Sequence, residues 1–290
     1  MSRYAIRDYI KTLDPEKDHE EIIFLDGAYE FPFLTQKSLE FALFRTYAVP
    51  SISKLLDETG QFEGHGQRRY DDTSLILAEI TENGYDSERG RAALRRMNHL
   101  HGRFNISNDD FLYVLSTFIY EPIRWNRFAW RRLVEQERQA VYVFWREVGR
   151  RMGIKDIPPT FEAFEQFNIA YERDHFAYSP SNNRVGEATI QVFLNWYASP
   201  LHPVVREAIY ALLDDPLREA FGFPKASTAL TGLLTIGLKT RARAIRQFGT
   251  PRKTPRLFTQ EPNCTYPLGY KIEHMGPIDV PPDPVRRDKK

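Results

Sequence analysis

The sequence predicts an all-α fold, a single multi-helix domain. Three observations predict the helical class. Apolar residues recur at three- and four-residue spacing through most of the chain, convincing runs of period-two alternation are missing, and segment ends carry Ser, Asn, Asp, Gly or Pro. With 290 residues, 42% of them hydrophobic, the chain can bury a large core.

Residues 1–37 read as an N-terminal extension of mixed character, broken at LDPEKD and carrying the apolar-aromatic stretch YEFPFL. The helical pattern starts at Ser38, which caps SLEFALFRTYAV, and Pro50 stops it. SISKLLDETG follows and ends at Gly60, and residues 61–68 read as a Gly-containing loop. Two helical segments, 70–83 and 87–104, are joined by a short turn at Gly84-Tyr85-Asp86. Ser107-Asn108-Asp109-Asp110 caps FLYVLSTFIY, which Pro122 breaks. Residues 134–154 form the longest amphipathic helix, and 161–176, 183–198, 203–215 and 228–248 complete the set. The domain therefore runs over 38–250, and the Pro- and charge-rich 251–290 read as an irregular C-terminal tail.

Composition excludes several classes. One Cys cannot form an internal disulfide or a Cys-rich zinc or iron–sulfur site. Lys and Arg total 40 against 39 Asp and Glu, a net charge of +1 without the basic surplus of a nucleic-acid binder. No apolar run approaches the ~20 residues of a transmembrane helix, and the charged start lacks a signal-peptide core, so a cytoplasmic location is expected. The last helix is apolar first and basic afterwards, with Lys239, Arg241, Arg243 and Arg246 followed by Arg252 and Lys253. A core helix with a solvated end is the heavier reading, and peripheral contact with anionic lipid is the sharper one. No GxGxxG, Walker, GxSxG or HExxH motif is present. The oligomeric state is not legible.

Helical phase singles out one of the seven histidines. Leu94, Met97, His101 and Phe104 share a face, whereas His99 falls with Arg95, Arg96 and Arg103 on a charged flank. A buried imidazole needs a hydrogen-bond partner or a metal, and most are core histidines bonded to a carbonyl. On the preceding helix, Arg69, Asp72 and Thr73 open a stripe that continues through Ile76, Leu77 and Ile80. A simple helix start, with Asp at the positive dipole end, explains this about as well. Counted from the turn, Asp72 and His101 lie about 16 and 20 Å along their helices, nearly level, so a lone histidine would face an Arg/Asp/Thr cluster. One His without a second ligand at metal spacing suits haem better than zinc or non-haem iron. Glu172 and His175 form a single Glu-x-x-His, which reads as a surface pair because a di-iron site needs two copies.

The stretch RRMNHLHGRFNISNDDFLYVLSTFIYEP, with RRYDDT upstream and WREVGRRMGIKDIP downstream, resembles the catalytic domain shared by the fungal mycophenolate-pathway oxygenase and bacterial latex clearing protein. The likeness covers most of 38–250 and is strongest to the mycophenolate branch. The resemblance implies a single globin-like multi-helix domain enclosing a haem b pocket, whose proximal ligand is the His of a Val-Arg-x-x-His pattern. That pattern falls on Met97-Asn98-His99-Leu100-His101 and assigns the iron to His101, with Arg69, Met97 and Asn98 beside the cofactor. The distal Arg-x-x-Lys-Thr falls on Arg69, Asp72 and Thr73, with Asp72 replacing the lysine and Asn98 replacing the proximal arginine. The implied catalytic set is Arg69, Asp72 and Thr73, with Asp72 orienting O₂ or acting as a base. The implied activity is O₂-dependent oxidation of an apolar or isoprenoid-type molecule, including C=C cleavage, and Phe104, Phe111, Phe118, Trp125 and Phe128 are candidate channel walls. Two other readings stay open: a haem protein with dehydrogenase or peroxidase-like chemistry, and a helical haem-binding or interaction protein without turnover.

Overall fold

The computed structural model describes residues 2–278, 280 and 281, and among these there are helices, turns and irregular segments but no strand. Thirteen α-helices are described: α1 Ala5–Ile10, α2 Pro15–Leu25, α3 Pro32–Thr46, α4 Pro50–Glu58, α5 Gln61–Asn83, α6 Glu88–His101 and α7 Asn108–Trp125 lead the order. They are followed by α8 Glu135–Arg151, α9 Phe161–His175, α10 Pro180–Leu194, α11 His202–Leu212, α12 Asp215–Phe221 and α13 Thr228–Phe248. The fold is all-α, as expected.

Residues 1–37 hold α1, α2 and the start of α3. Ile22 of α2 is fully buried, and the helix runs along α8. Its His19 bonds the Tyr85 hydroxyl at the α5–α6 turn. The helix expected from Ser38 starts at Pro32, where a proline at the first position costs no hydrogen bond. Ser38 sits inside it, fully buried, with its hydroxyl returned to the Thr35 carbonyl at 3.0 Å. A π-helical turn, Asp26–Glu30, joins α2 to α3. It brings Asp26 and Glu30 onto the one guanidinium of Arg131.

The segment 61–68 is helical, not a loop. α5 begins at Gln61 and kinks at His65, whose φ of −139° leaves the helical region. Gly66 beside the kink lets α10 cross closely, since a Cβ there would lie 2.6 Å from a Val192 methyl. The α5–α6 hairpin forms as the sequence suggests: Ser87 caps Gly90, and Gly84 takes a φ of +80°. Gly90 is obligatory, because its Cβ would strike the Gly84 carbonyl. Pro122 does not end α7, which continues to Trp125. α12, capped by Asp214 and closed at Gly222 with φ +69°, has too few residues to give a period.

The main core lies between α5, α6, α7 and α8, around Leu75, Ile80, Leu94, Ile119 and Phe144. The tail, in its described part, has no long helix but is not loose. It turns twice, at Phe258–Gln260 and Ile272–His274, and lies along α5 and α6. Residues 282–290 of the expected tail lie outside the described residues.

Candidate active site

α5 presents two different flanks, about 100° per residue apart in phase. One carries Phe62, Arg69, Thr73 and Ile76, and His101 at the end of α6 lies on this side. The other carries Arg68, Asp71, Asp72, Glu79 and Glu82, and the C-terminal tail covers it.

His101 is part-buried, but its Nδ1 is shielded from solvent and has no hydrogen-bond partner among the described residues. Its ring meets Phe111 of α7 edge-on at 5.6 Å. Burial pushes the imidazole down to about 4, and the nearby Arg69 charge pushes the same way, so the ring is neutral at pH 7. Two other histidines differ, buried His19 and exposed His175. His19 bonds Tyr85, and His175 bonds the Tyr171 carbonyl at 3.0 Å. A buried imidazole nitrogen without a partner costs stability unless something occupies its lone pair. No three His, Cys, Asp or Glu converge as a metal site among the described residues. Haem, whose macrocycle supplies four donors and needs one from the protein, fits this donor chemistry.

The other expected residues divide between the two flanks. Arg69 lies over the Phe62 ring at 5.7 Å and faces the His101 side. The Thr73 hydroxyl donates to the Arg69 carbonyl at 2.9 Å, steadying that turn. Met97, one turn before His101, packs against the main core, and the Asn98 amide donates to the Arg151 carbonyl at 3.0 Å, tying α6 to the end of α8. Asp72 is buried on the tail side. Its Oδ1 accepts from the Tyr266 hydroxyl and its Oδ2 from the Gly276 amide at 2.9 Å, with Arg68 Nε at 3.7 Å. Burial raises this carboxyl, and those three partners with Arg69 oppose the rise. Of the aromatic candidates, Phe111 meets His101 and Phe104 is exposed, while Phe118, Trp125 and Phe128 are buried in core clusters.

Sequence reasoning missed the tail as part of this region. Asp71 accepts from the Thr265 amide at 3.1 Å, Glu79 from the Tyr270 hydroxyl at 2.6 Å, and Glu82 from the Phe258 amide at 2.6 Å. The acidic flank of α5 is thus a ladder of acceptors. Arg96, expected on a charged surface, is fully buried and donates to the Met275 carbonyl at 2.6 Å and the Pro281 carbonyl at 2.9 Å. Its place four residues before Leu100 and three after Ala93 was the available signal. Glu172 is also inside rather than on the surface, bound by both nitrogens of an Arg45 fork and by Arg124.

Comparison with known proteins adds to the geometry. The profile of the family described as ER-bound oxygenase mpaB/B'/Rubber oxygenase, catalytic domain, matches residues 40–247. The chain is 31% identical over 242 residues to "ER-bound oxygenase mpaB'" of Penicillium brevicompactum, covering 77% of this chain and 57% of that protein. It is 33% identical over 210 residues to "ER-bound oxygenase mpaB" of Penicillium roqueforti (strain FM164), covering 66% of this chain and 70% of that protein. A third relative, "ER-bound oxygenase mpaB" of Penicillium brevicompactum, is 34% identical over 191 residues, 49% of its length. The chain therefore spans 49–70% of the length of these relatives.

Proposed function

Because the chain belongs to the mpaB/rubber oxygenase catalytic-domain family, we propose that it is an O₂-dependent oxygenase of an apolar small molecule that holds haem b through His101. The observation that carries this is the shielded, unpartnered Nδ1 of a neutral imidazole. Haem, when bound, would supply the iron that takes up O₂.

The chain's own residues prepare that place. Desolvation and Arg69 keep His101 unprotonated, the form that can donate a lone pair to iron. Arg69 sets a permanent cation facing the imidazole, and the Thr73 bond holds its backbone turn. Asn98 locks the rotation of α6 against α8, which fixes where His101 points. Asp72 acts as a positioning residue, joining α5 to the tail at Gly276. Phe111 gives the His101 side an apolar wall.

Association with a membrane surface fits the same reading. No described helix is long and apolar enough to cross a bilayer. α13, however, buries only Ala242 and leaves Leu233 65% and Ile236 62% exposed beside its basic half. An apolar pair with flanking cations is suited to lying in an anionic interface.

Haemin titration tests the assignment. Wild type is expected to bind one haem with a shifted Soret band, and His101→Ala to lose that shift while keeping its far-ultraviolet dichroism. Oxygen uptake with a prenyl alcohol and detection of carbonyl products then test the reaction. Equal haem binding by His101→Ala, or a folded wild type that takes up no haemin, would overturn the proposal.

A further inference from the structure

A recess of about 120 Å³, partly open to solvent, lies on the side of α5 away from His101. Ile23 and Phe24 of α2, Leu39 and Leu43 of α3, Leu77 of α5 and Phe258 of the tail give it apolar walls. The π-helical turn between α2 and α3 forms another wall through Gly27 and Ala28. Well-packed interiors close such space unless something uses it, and π-helical turns recur at functional sites.

The polar groups in the recess converge. Glu40 accepts from the Tyr70 hydroxyl at 2.8 Å, from the Gln36 amide at 3.2 Å and from Lys37 at 2.8 Å. Arg256 at the rim donates to the Gln36 carbonyl oxygen at 3.4 Å and is paired with Glu261. Two of the three charged groups lining the recess have a counter-charge, Glu40 with Lys37 and Arg256 with Glu261, and the third, Glu82, accepts from the Phe258 and Thr259 amides and the Thr259 hydroxyl. A charged ligand would have to break one of these pairs, draw Glu82 away from its tail donors, or enter an apolar space uncompensated. A neutral hydroxyl or carbonyl can join the Gln36–Tyr70 network without doing any of these.

We propose that this recess, walled by Ile23, Leu39, Leu77 and Phe258 and headed by Gln36, Glu40 and Tyr70, binds an elongated uncharged molecule with an apolar chain and one hydroxyl or carbonyl group. The site is independent of His101: Tyr70 and Leu77 stand about 100° around α5 from Arg69 and Ile76. It goes beyond the oxygenase reading and does not depend on it.

Calorimetric titration of the intact chain with 1-decanol, decanoate and decylammonium tests this. Decanol is expected to bind wild type, with both ions at least about tenfold weaker. Ala78→Phe should fill the recess and abolish decanol binding, with dichroism as the check on folding. Gln36→Leu keeps the volume and should weaken decanol about tenfold, which carries the test even if Ala78→Phe does not fold. His101→Ala should bind decanol as wild type does. Absence of decanol binding, equal binding of the ions, unchanged affinity in Gln36→Leu or in folded Ala78→Phe, or loss of binding in His101→Ala would each overturn the proposal.

Discussion

The carboxylate of Asp72 and the amide of Gly276, 204 positions apart in the chain, are joined by a buried 2.9 Å hydrogen bond. Gly276 has a φ of +105° and sits against Leu100 and Arg96, so this one contact seats the tail on both α5 and α6 close to His101. Asp72→Ala would leave a buried amide and the Tyr266 hydroxyl without their acceptor, at a cost of about 2 kcal/mol. Urea unfolding is expected to show that loss, and limited trypsinolysis should cleave faster at Lys271. Asp72→Asn, which keeps one acceptor oxygen, should lose less. If Asp72→Ala stops turnover with stability and proteolysis unchanged, Asp72 works on the His101 side instead.

The helical class was legible because long helices must alternate buried and exposed faces every three to four residues. The α5–α6 hairpin was legible because Gly84 and Ser87 carry local turn and cap chemistry. The phase that set His101 apart from His99 rests on the same periodicity, and His99 is exposed in the fold. What local pattern cannot reveal is a long-range partner. Asp72 and Arg69 look alike on a helical wheel, but Tyr266 and Gly276 decide that Asp72 turns to the tail. Arg96 and Glu172 were likewise read as surface charges because their partners, Met275 and Arg45, are distant in sequence. The helical 61–68 was hidden by two glycines, whose low propensity is outweighed by the close crossing of α10 at Gly66.

Arg45 is the hub of a buried charge network. It is 7% exposed, grips both oxygens of Glu172 at 2.9 and 2.6 Å, and lies 3.4 Å from Glu121. Removing one partner of such a network leaves the other charges buried and uncompensated. Arg45→Met is expected to cost about 3–5 kcal/mol, read as a lower urea midpoint. The double variant with Glu172→Leu should recover a large part of that loss. A single variant as stable as wild type would show that the network contributes nothing.

α13 gives a prediction about surfaces. Leu233 and Ile236, one turn apart and both largely exposed, should insert into an anionic interface while the following Arg and Lys side chains meet the headgroups. Sedimentation with vesicles containing 30 mol% phosphatidylserine, roughly the composition at which each cation gains about 1 kcal/mol, should pull down the wild-type chain. Leu233→Ser/Ile236→Ser should reduce binding by about tenfold, and raised salt should weaken it further. Equal sedimentation of the double variant would leave α13 without this role.

Asp26 provides the pH test. It is buried, its Oδ1 accepts no hydrogen bond among the described residues, and the cation beside it, Arg131 at 3.8 Å, is also claimed by Glu30 and Glu137. Burial, reinforced by the charge of Glu137, pushes the Asp26 carboxyl well above the usual carboxylate range. A carboxyl whose pKa is raised on folding binds its proton more tightly in the native state. Its cost is absent below the unfolded value near 4, appears as pH rises through that value, and levels off above the folded one. Asp26→Asn removes this dependence without changing side-chain shape. Urea midpoints should therefore agree between the two proteins at the acid end and separate as pH rises toward 8, with the Asn variant the more stable. A gap that closes toward pH 8 and widens in acid would mean that Asp26 is held as a stabilising carboxylate, with Arg131 outweighing burial.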